Sequence, residues 1–453
     1  MKAKAKYSLS TSHIIMLSFL VAILLGSVLL TLPISSSDGR WVPYIDALFT
    51  STTATCVTGL VTLPTFYSWS VFGQVVILIL IQMGGLGIIT VMSGIMIAFH
   101  KKINLSDRLL IQDAFNLNSF SGIVRFVKKV LIGTFIIEGA GALLYMTVFI
   151  PQFGLRGIWI SVFTSVSAFC NAGIDIIGDN SLINYVSNPV INIVTMLLII
   201  LGGIGYVLWW DVIRVSKIVK KKGLIGLKHL TLQSKLALAA TLFLILIGAL
   251  LFFIFEYNNP ATIKDFSLFN KIQASLFQSV TTRTAGFATL PQEKLTNASS
   301  FVSIFLMFIG GSPIGTAGGV KTVTMLVLFA GAFSAITGKT ETTLMGRSIS
   351  RQILSKAMAV VSMSFITMLV STVLLSACVD ASALDILYET ASATATVGLT
   401  RNLTPYLGDL GKLIIIITMY LGRVGPISLA IAFNIRKSNK NVIQNPFEEI
   451  SVG

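Results

Sequence analysis

The chain has 453 residues, enough for two or three soluble domains, yet only 11% are charged, 54% are hydrophobic, and the mean hydropathy is +0.86. Soluble domains run at about 25% charged residues, so this chain lacks the charge to cover a water-facing surface. A net charge of +15 would suit nucleic acid, but the basic residues are scattered through short segments rather than gathered in one stripe.

Lys2, Lys4 and Lys6 precede an apolar run at 14–32, which is longer than a signal-peptide core, lacks an A-x-A exit and reads as a first transmembrane helix. The apolar part of 44–55 is too short to cross a bilayer and predicts a half-helix that re-enters from the outside. It leads into Cys56-Val57-Thr58-Gly59-Leu60, and a second span at 75–98 carries Gly84-Gly85-Leu86-Gly87. Basic residues between 101 and 129 separate it from a third span at 130–150, which holds Glu138. The next hairpin runs to Cys170-Asn171-Ala172-Gly173-Ile174, and Gly202-Gly203-Ile204-Gly205 follows. Trp69 and the pair Trp209-Trp210 read as interfacial anchors. A basic stretch at 214–235, with its lysine-rich core at 217–222, fits a topology signal in contact with lipid. A span at 236–255 precedes Arg283-Thr284-Ala285-Gly286-Phe287, then a glycine-rich interruption at 310–322. Basic residues recur at 339–356. The last hairpin reaches Ala395-Thr396-Val397-Gly398-Leu399, and the span at 413–433 holds Gly422-Arg423-Val424-Gly425. Basic residues at 436–440 close the chain.

Four copies of one unit account for this order. Gly59, Gly173, Gly286 and Gly398 recur at intervals of 114, 113 and 112 residues, each followed some 25 to 30 residues later by the second glycine landmark. Helix, re-entrant loop, helix is an even number of crossings, so all units enter from the same side. The positive-inside rule makes the basic segments and both termini cytoplasmic, in a multi-pass protein of the cell membrane. The expected fold is an all-α polytopic membrane protein: four parallel helix–pore loop–helix repeats around a pseudo-fourfold pore, with eight spanning helices. The units are 12–100, 101–216, 217–340 (with a loop at 310–322) and 341–435, flanked by termini 1–11 and 436–453. The outward loops carry an excess of acids, including Asp175, Asp179, Asp385, Glu389 and Asp409, which enriches cations at the mouth.

Backbone carbonyls turned toward an axis replace the hydration shell of a monovalent cation, and the turn needs a residue that tolerates an unusual backbone conformation. One glycine at the same place in each of four units meets that demand. Packing patches of small residues would not recur at constant spacing. The segment 310–322 nearly matches a phosphate loop, but Val320 stands where glycine is needed and no strand precedes it, so nucleotide binding is not expected there. Few apolar residues anchor 310–319, which predicts a loosely held loop. Arg423 and Glu138 sit in apolar spans, where charge is costly and marks function by default. For Glu138 a structural hydrogen bond and a functional role both stay open. Arg283, one residue before the third filter, is expected to brace its half-helix outside the ion path. Three cysteines form no disulfide framework, and His13, His100 and His229 sit at span edges or loops, which supports neither a zinc site nor a proton relay.

The motifs VTGL, NAG, RTAGF and ATVGLT, with GGSPIGTAGGVKT in the third unit and GRVGP in the fourth, resemble the Trk/Ktr/HKT superfamily of potassium transporters over essentially the whole chain. Without two additional N-terminal helices the chain resembles the Ktr-type membrane subunit. The resemblance implies K+ uptake by a homodimer with one pore per protomer, gated by a cytosolic ring of nucleotide-binding regulatory subunits. It implies no cofactor and no enzymatic activity. It places the selectivity filter at Cys56, Val57, Thr58, Gly59, Cys170, Asn171, Ala172, Gly173, Thr284, Ala285, Gly286, Thr396, Val397 and Gly398, with K+ at the carbonyls. It places an intramembrane gate at Gly310, Gly311, Ser312, Gly315, Thr316, Gly318, Gly319 and Lys321, faced by Arg423. Cys56 stands where the family pattern has Thr, Cys170 where it has Asn, and Ile174 where an aromatic often follows. The alternatives are a Na+-coupled or Na+-permeable transporter of the same fold, or a membrane-embedded enzyme. The latter would need paired carboxylates or histidines at membrane depth.

Overall fold

The computed structural model describes residues 11–99, 108–109, 111–112, 122–178 and 180–425. Both terminal tails, His100, Lys101 and Lys102, Asp179 and the basic cluster at 436–440 lie outside the described residues.

Each repeat begins with a long apolar helix. These are α1 (Thr11–Thr31), α6 (Ile123–Phe153), α10 (Leu232–Glu256) and α14 (Arg351–Ser376), the four unbroken helices among the described residues long and apolar enough to cross a membrane. Thr231 and Ser350 cap α10 and α14 by accepting a backbone N–H in the first turn. Leu242, Phe243, Leu246 and Leu250 on α10 remain exposed, as a bilayer-facing surface requires.

A half-helix then dips inward: α2 (Tyr44–Cys56), α7 (Arg156–Cys170), α11 (Leu268–Thr281) and α15 (Ala383–Ala395). With 13 to 15 residues at about 1.5 Å each, they reach only part of the way across a hydrocarbon core of about 30 Å. A one-turn α3 (Thr65–Ser68) follows the first filter segment.

The second membrane helix is broken in the first three repeats, where the sequence predicted a second span in every unit with an interruption only in the third. In the first repeat α4 (Val71–Leu86) and α5 (Ile88–Ala98) meet at 99°, and in the second α8 (Pro189–Gly203) and α9 (Tyr206–Lys222) meet at 98°. The hinge glycines share one conformation: Gly87 at φ 83, ψ 130 and Gly205 at φ 92, ψ 141. That region is open to glycine without steric cost. In the third repeat α12 (Asn297–Phe308) and α13 (Thr322–Ile336) flank the loop 309–321. In the fourth, α16 (Asp409–Val424) ends at Gly425 with φ 84 and ψ 143, matching the other two hinges. A small β-hairpin also departs from the all-α expectation. Strand β1 (Thr342–Leu344) pairs with β2 (Arg347–Ile349) through Met345 and Gly346, both at positive φ, the turn that suits the right-handed strand twist.

The repeats close into a ring. The second helix of each unit packs on the half-helix of the next: α4 on α7, α8 on α11, α12 on α15, and α16 back on α2. An ion pair from Lys412 Nζ to Asp46 Oδ1, at 2.7 Å, ties the fourth unit to the first. Trp69 and Trp209, expected as interfacial anchors, are buried inside this framework. Trp209 packs on Tyr206 and Phe169 and donates its indole N–H to the Leu201 carbonyl at 2.9 Å. An indole beside carbonyls freed by a helix end finds its partner within the protein rather than at the lipid boundary.

Candidate cation pathway

All four half-helices aim their C-terminal ends, carrying partial negative charge, at one place. Three of them stop because the next residue turns left-handed: Val57 at φ 57, Asn171 at φ 59 and Thr396 at φ 51. The third repeat turns at Thr284, φ 68, two residues beyond the cap Thr282. Two residues on, each glycine is also left-handed: Gly59 at φ 99, Gly173 at φ 65, Gly286 at φ 83 and Gly398 at φ 97. The segment between runs extended, and its N–H groups bond back into the half-helix. Thr58 N–H reaches the Thr53 carbonyl at 2.8 Å, and Gly59 N–H reaches the Thr53 hydroxyl at 2.9 Å. Ala172 N–H reaches Ser167 at 2.8 Å, Val397 N–H reaches Ser392 at 2.9 Å, and Gly398 N–H reaches the Ser392 hydroxyl at 3.0 Å. With the N–H groups turned outward, the carbonyls are left for the axis.

The four glycines touch one another around that axis. A Cβ built on Gly59 would lie 2.5 Å from the Ala172 carbonyl oxygen, one on Gly173 2.5 Å from that of Ala285, and one on Gly286 2.5 Å from that of Val397. One on Gly398 would collide with the carbonyl oxygen of Thr58, which closes the circuit. The contacts run 1→2→3→4→1, so the segments predicted from equal spacing converge in a single ring. The hydroxyls of Thr58, Thr284 and Thr396 are buried there without a hydrogen-bond partner among the described residues. The Asn171 amide, oriented to donate, reaches the Ala168 and Ile199 carbonyls at 3.1 and 3.2 Å, so it braces the segment from outside the ring. Arg283 also points away from it. Its guanidinium donates to the Thr241 hydroxyl and the Gly310 carbonyl, each at 3.4 Å, linking the third filter segment to the first residue of the loop below.

That loop lies directly under the ring, and backbone hydrogen bonds hold it where its few apolar residues do not. Its base is pinned by Gly310 N–H to Val320 O at 3.0 Å and Val320 N–H to Phe308 O at 3.1 Å. Ser312 N–H donates to Gly203 O at 2.9 Å, Thr316 N–H to Gly202 O at 3.1 Å, and Tyr206 N–H to Ile314 O at 2.9 Å. Where α8 ends, its last carbonyls lose their intrahelical partners, and the loop's N–H groups satisfy them. Gly310, Gly311, Ser312, Thr316, Ala317 and Gly318 are buried, with Gly318 against the Thr396 hydroxyl, while Gly315 and Gly319 are half-buried. Lys321 Nζ folds back on the loop, donating to Ala317 O at 2.6 Å. Arg423 bridges the loop and the frame. One arm donates to Thr316 O at 2.6 Å and the other to Gly84 O at the freed end of α4. Beneath lies a cavity of about 410 Å³, lined by the hinge segments 84–90 and 421–425, the loop and residues of α14 such as Met363 and Thr367.

Two further contacts set the outer side and were not legible from spacing. Arg401 pairs with Asp385 at 2.6 Å and donates to the Ser300 hydroxyl at 2.7 Å. Gln292 joins Gln278 and Tyr388 of consecutive half-helices at 2.7 and 2.9 Å. Near the second filter segment, burial raises the Asp175 carboxyl from 3.8 to about 6, an effect that the Ser181 hydroxyl and the Ile177 N–H reduce.

Comparison with known proteins agrees with this geometry. The profile of the TrkH family, described as cation transport protein, matches residues 3–444. The chain is 38% identical over 442 residues to the "Ktr system potassium uptake protein B" of Bacillus subtilis, covering 97% of this chain and 96% of that one. It is 36% identical over 459 residues to the "Potassium/sodium uptake protein NtpJ" of Enterococcus hirae, covering 100% and 99%. In fold it is similar to the crystal structure of the potassium transporter TrkH from Vibrio parahaemolyticus, with a TM-score of 0.74 at 19% identity over 95% of this chain and 86% of that one. A glycine ring formed by four parallel units, together with two full-length relatives above 30% identity, places this chain in the TrkH family of cation transport proteins.

Proposed function

We propose that this chain is the ion-conducting subunit of a K+ uptake system in the cytoplasmic membrane. The observation that carries the reading is the closed circuit of glycine contacts. It sets carbonyls from four half-helix ends around one axis at a spacing no side chain can enter. K+ is stripped of water by the carbonyls of 56–58, 170–172, 284–285 and 396–397, favoured by the half-helix dipoles, and drawn inward by the membrane potential at about 2.3 kcal/mol per charge per 100 mV. The loop 310–322 blocks the passage below the ring and Arg423 latches it. The printed names of the two relatives support K+ as cargo. That of the Enterococcus protein keeps Na+ as a second cargo or a coupled ion. The word "system" in the Bacillus name supports a separate regulatory component. A nucleotide-binding ring on the cytoplasmic loops, with this subunit dimeric and both termini cytoplasmic, completes the reading. Rb+ uptake into cells deprived of their own K+ uptake tests it: flux that follows expression supports K+ conduction. Flux that needs Na+ outside favours coupling, and no flux from inserted protein refutes the reading.

A further inference from the structure

Four quasi-equivalent repeats provide an internal control, because a residue peculiar to one of them is not demanded by the architecture. In each repeat a hydroxyl on the half-helix bonds to the same place on the preceding long helix. Ser51 reaches Ile23 O at 2.7 Å, Ser165 reaches Glu138 O at 2.6 Å, and Ser279 reaches Ile245 O at 2.8 Å. Thr390 meets the Thr372 hydroxyl at 2.7 Å, which itself reaches Met368 O at 2.8 Å. The equivalent residues are therefore Ile23, Glu138, Ile245 and Met368. Three repeats fill the place with an aliphatic or thioether side chain, and only the second places a carboxyl there, at the middle of the 31-residue α6. An acid at that depth is costly, and no cation pairs with it among the described residues.

What the carboxyl touches is the filter. Glu138 is 4% exposed and accepts from Gln82 Nε2 at 3.2 Å and from the Cys170 thiol at 3.8 Å. The same thiol lies 3.5 Å from Gln82 Oε1, so its proton is shared between two acceptors. Gln82 is equally peculiar to its repeat. Two residues before the glycine pair, the other units carry Ile200, Phe308 and Tyr420. Cys170 ends the second half-helix, its side chain lies close against Gly85, and left-handed Asn171 follows. On the lipid side a groove of about 400 Å³, walled by Leu78, Ile79, Phe135 and Val162, reaches Gln82 and Glu138, so side-chain packing alone does not fix their positions.

We propose that Glu138, with Gln82, is a positioning residue for the second filter segment: it holds the Cys170 thiol, and through it the carbonyls of 170–172, at the radius that separates K+ from Na+. The inference rests on the filter reading above. It also explains how a chain with Cys170 in place of a longer amide side chain keeps that segment fixed.

The test is the ratio of Rb+ to Na+ flux of full-length protein in liposomes, for Glu138→Leu, Glu138→Gln, Cys170→Ala and the double variant Glu138→Leu/Cys170→Ala. Glu138→Leu copies the aliphatic repeats and should lower the ratio about three- to tenfold, the range of one ordinary buried hydrogen bond. Glu138→Gln offers the thiol an acceptor and the Gln82 carbonyl a donor, and should restore most of the ratio. In the Cys170→Ala background Glu138→Leu should add no further loss. A wild-type ratio in inserted Glu138→Leu protein, or an equal further loss without the thiol, overturns the proposal. Should that variant fail to insert, Gln82→Leu takes its place with the same two outcomes. Gly173→Ser runs in parallel. If it too leaves the ratio unchanged, the filter reading falls; if it alone changes the ratio, only the role of Glu138 falls.

Discussion

Changing Arg423 to Ala removes two bonds with different consequences. The bond to Gly84 O joins two parts of the frame and involves no atom of the loop. The bond to Thr316 O, at 2.6 Å, exists only with the loop in place, so it alone biases the balance. A hydrogen bond from a charged donor contributes about 1.5–3 kcal/mol, and 1.4 kcal/mol is a factor of ten. Water reaches the guanidinium when the loop leaves, which returns part of that energy. The lower end therefore applies, and basal flux without a regulatory partner should rise about tenfold. Lys321 supplies the control. Its bond to Ala317 O lies within the loop and travels with it, so Lys321→Met should raise flux by less than about threefold. Rb+ influx into proteoliposomes containing only this chain measures both, with Rb+ over Na+ preference largely retained because the ring is untouched. Wild-type basal flux in folded Arg423→Ala protein, or an equal rise for Lys321→Met, would refute the reasoning.

Replacing Gly59, Gly173, Gly286 or Gly398 by Ser sets a side chain against the carbonyl of the next repeat, so each variant should lose most Rb+ over Na+ preference in the flux assay or fail to form the ring. Lys412→Met leaves Asp46 without its 2.7 Å partner where both side chains are nearly buried, and should lower stability by about 1–3 kcal/mol in detergent unfolding. Lys412→Met combined with Asp46→Asn should recover much of that loss. Asp175, raised to about 6, is ionised at pH 7 and neutral at pH 5, so cation attraction at the outer mouth fades as pH falls through 6. Rb+ influx should then drop modestly, and Asp175→Asn should show the low influx at both pH values.

The repeats, the half-helices and the converging glycines were readable because each recurs in the letters at a fixed interval, and four independent copies point to one geometry. Of the helix breaks, only the glycine-rich one at 310–322 was. Gly84 and Gly87 are the same letter, yet the first is helical and the second left-handed, and only packing around the ring decides which one yields. Nor was the hold on the loop readable, because it comes from the carbonyls of Gly202 and Gly203, backbone groups that leave no mark in residue type. Contacts such as Lys412 with Asp46 join residues 366 positions apart and repeat nowhere else, so no periodicity announces them. Arg423 stood out because a charge in an apolar run is rare. Its bond to a loop carbonyl, that of Thr316, was expected from the resemblance; its second partner, the Gly84 carbonyl of the first repeat, was not.

Among the described residues the insertion at 309–321 occurs in one unit, filling the space between the ring and the cavity of about 410 Å³ that it helps to line. In a pore assembled from four identical chains, any segment added to one wall is added to all, and four such loops would compete for the same volume. Fusing the four units into one polypeptide removes that constraint. The third unit carries the loop, the adjacent fourth supplies the guanidinium that meets it, and the first two contribute the carbonyls of Gly84, Gly202 and Gly203 that hold both. Repetition sets the ring of carbonyls, and joining the repeats in one polypeptide is what lets a single unit carry a segment that would not fit four times.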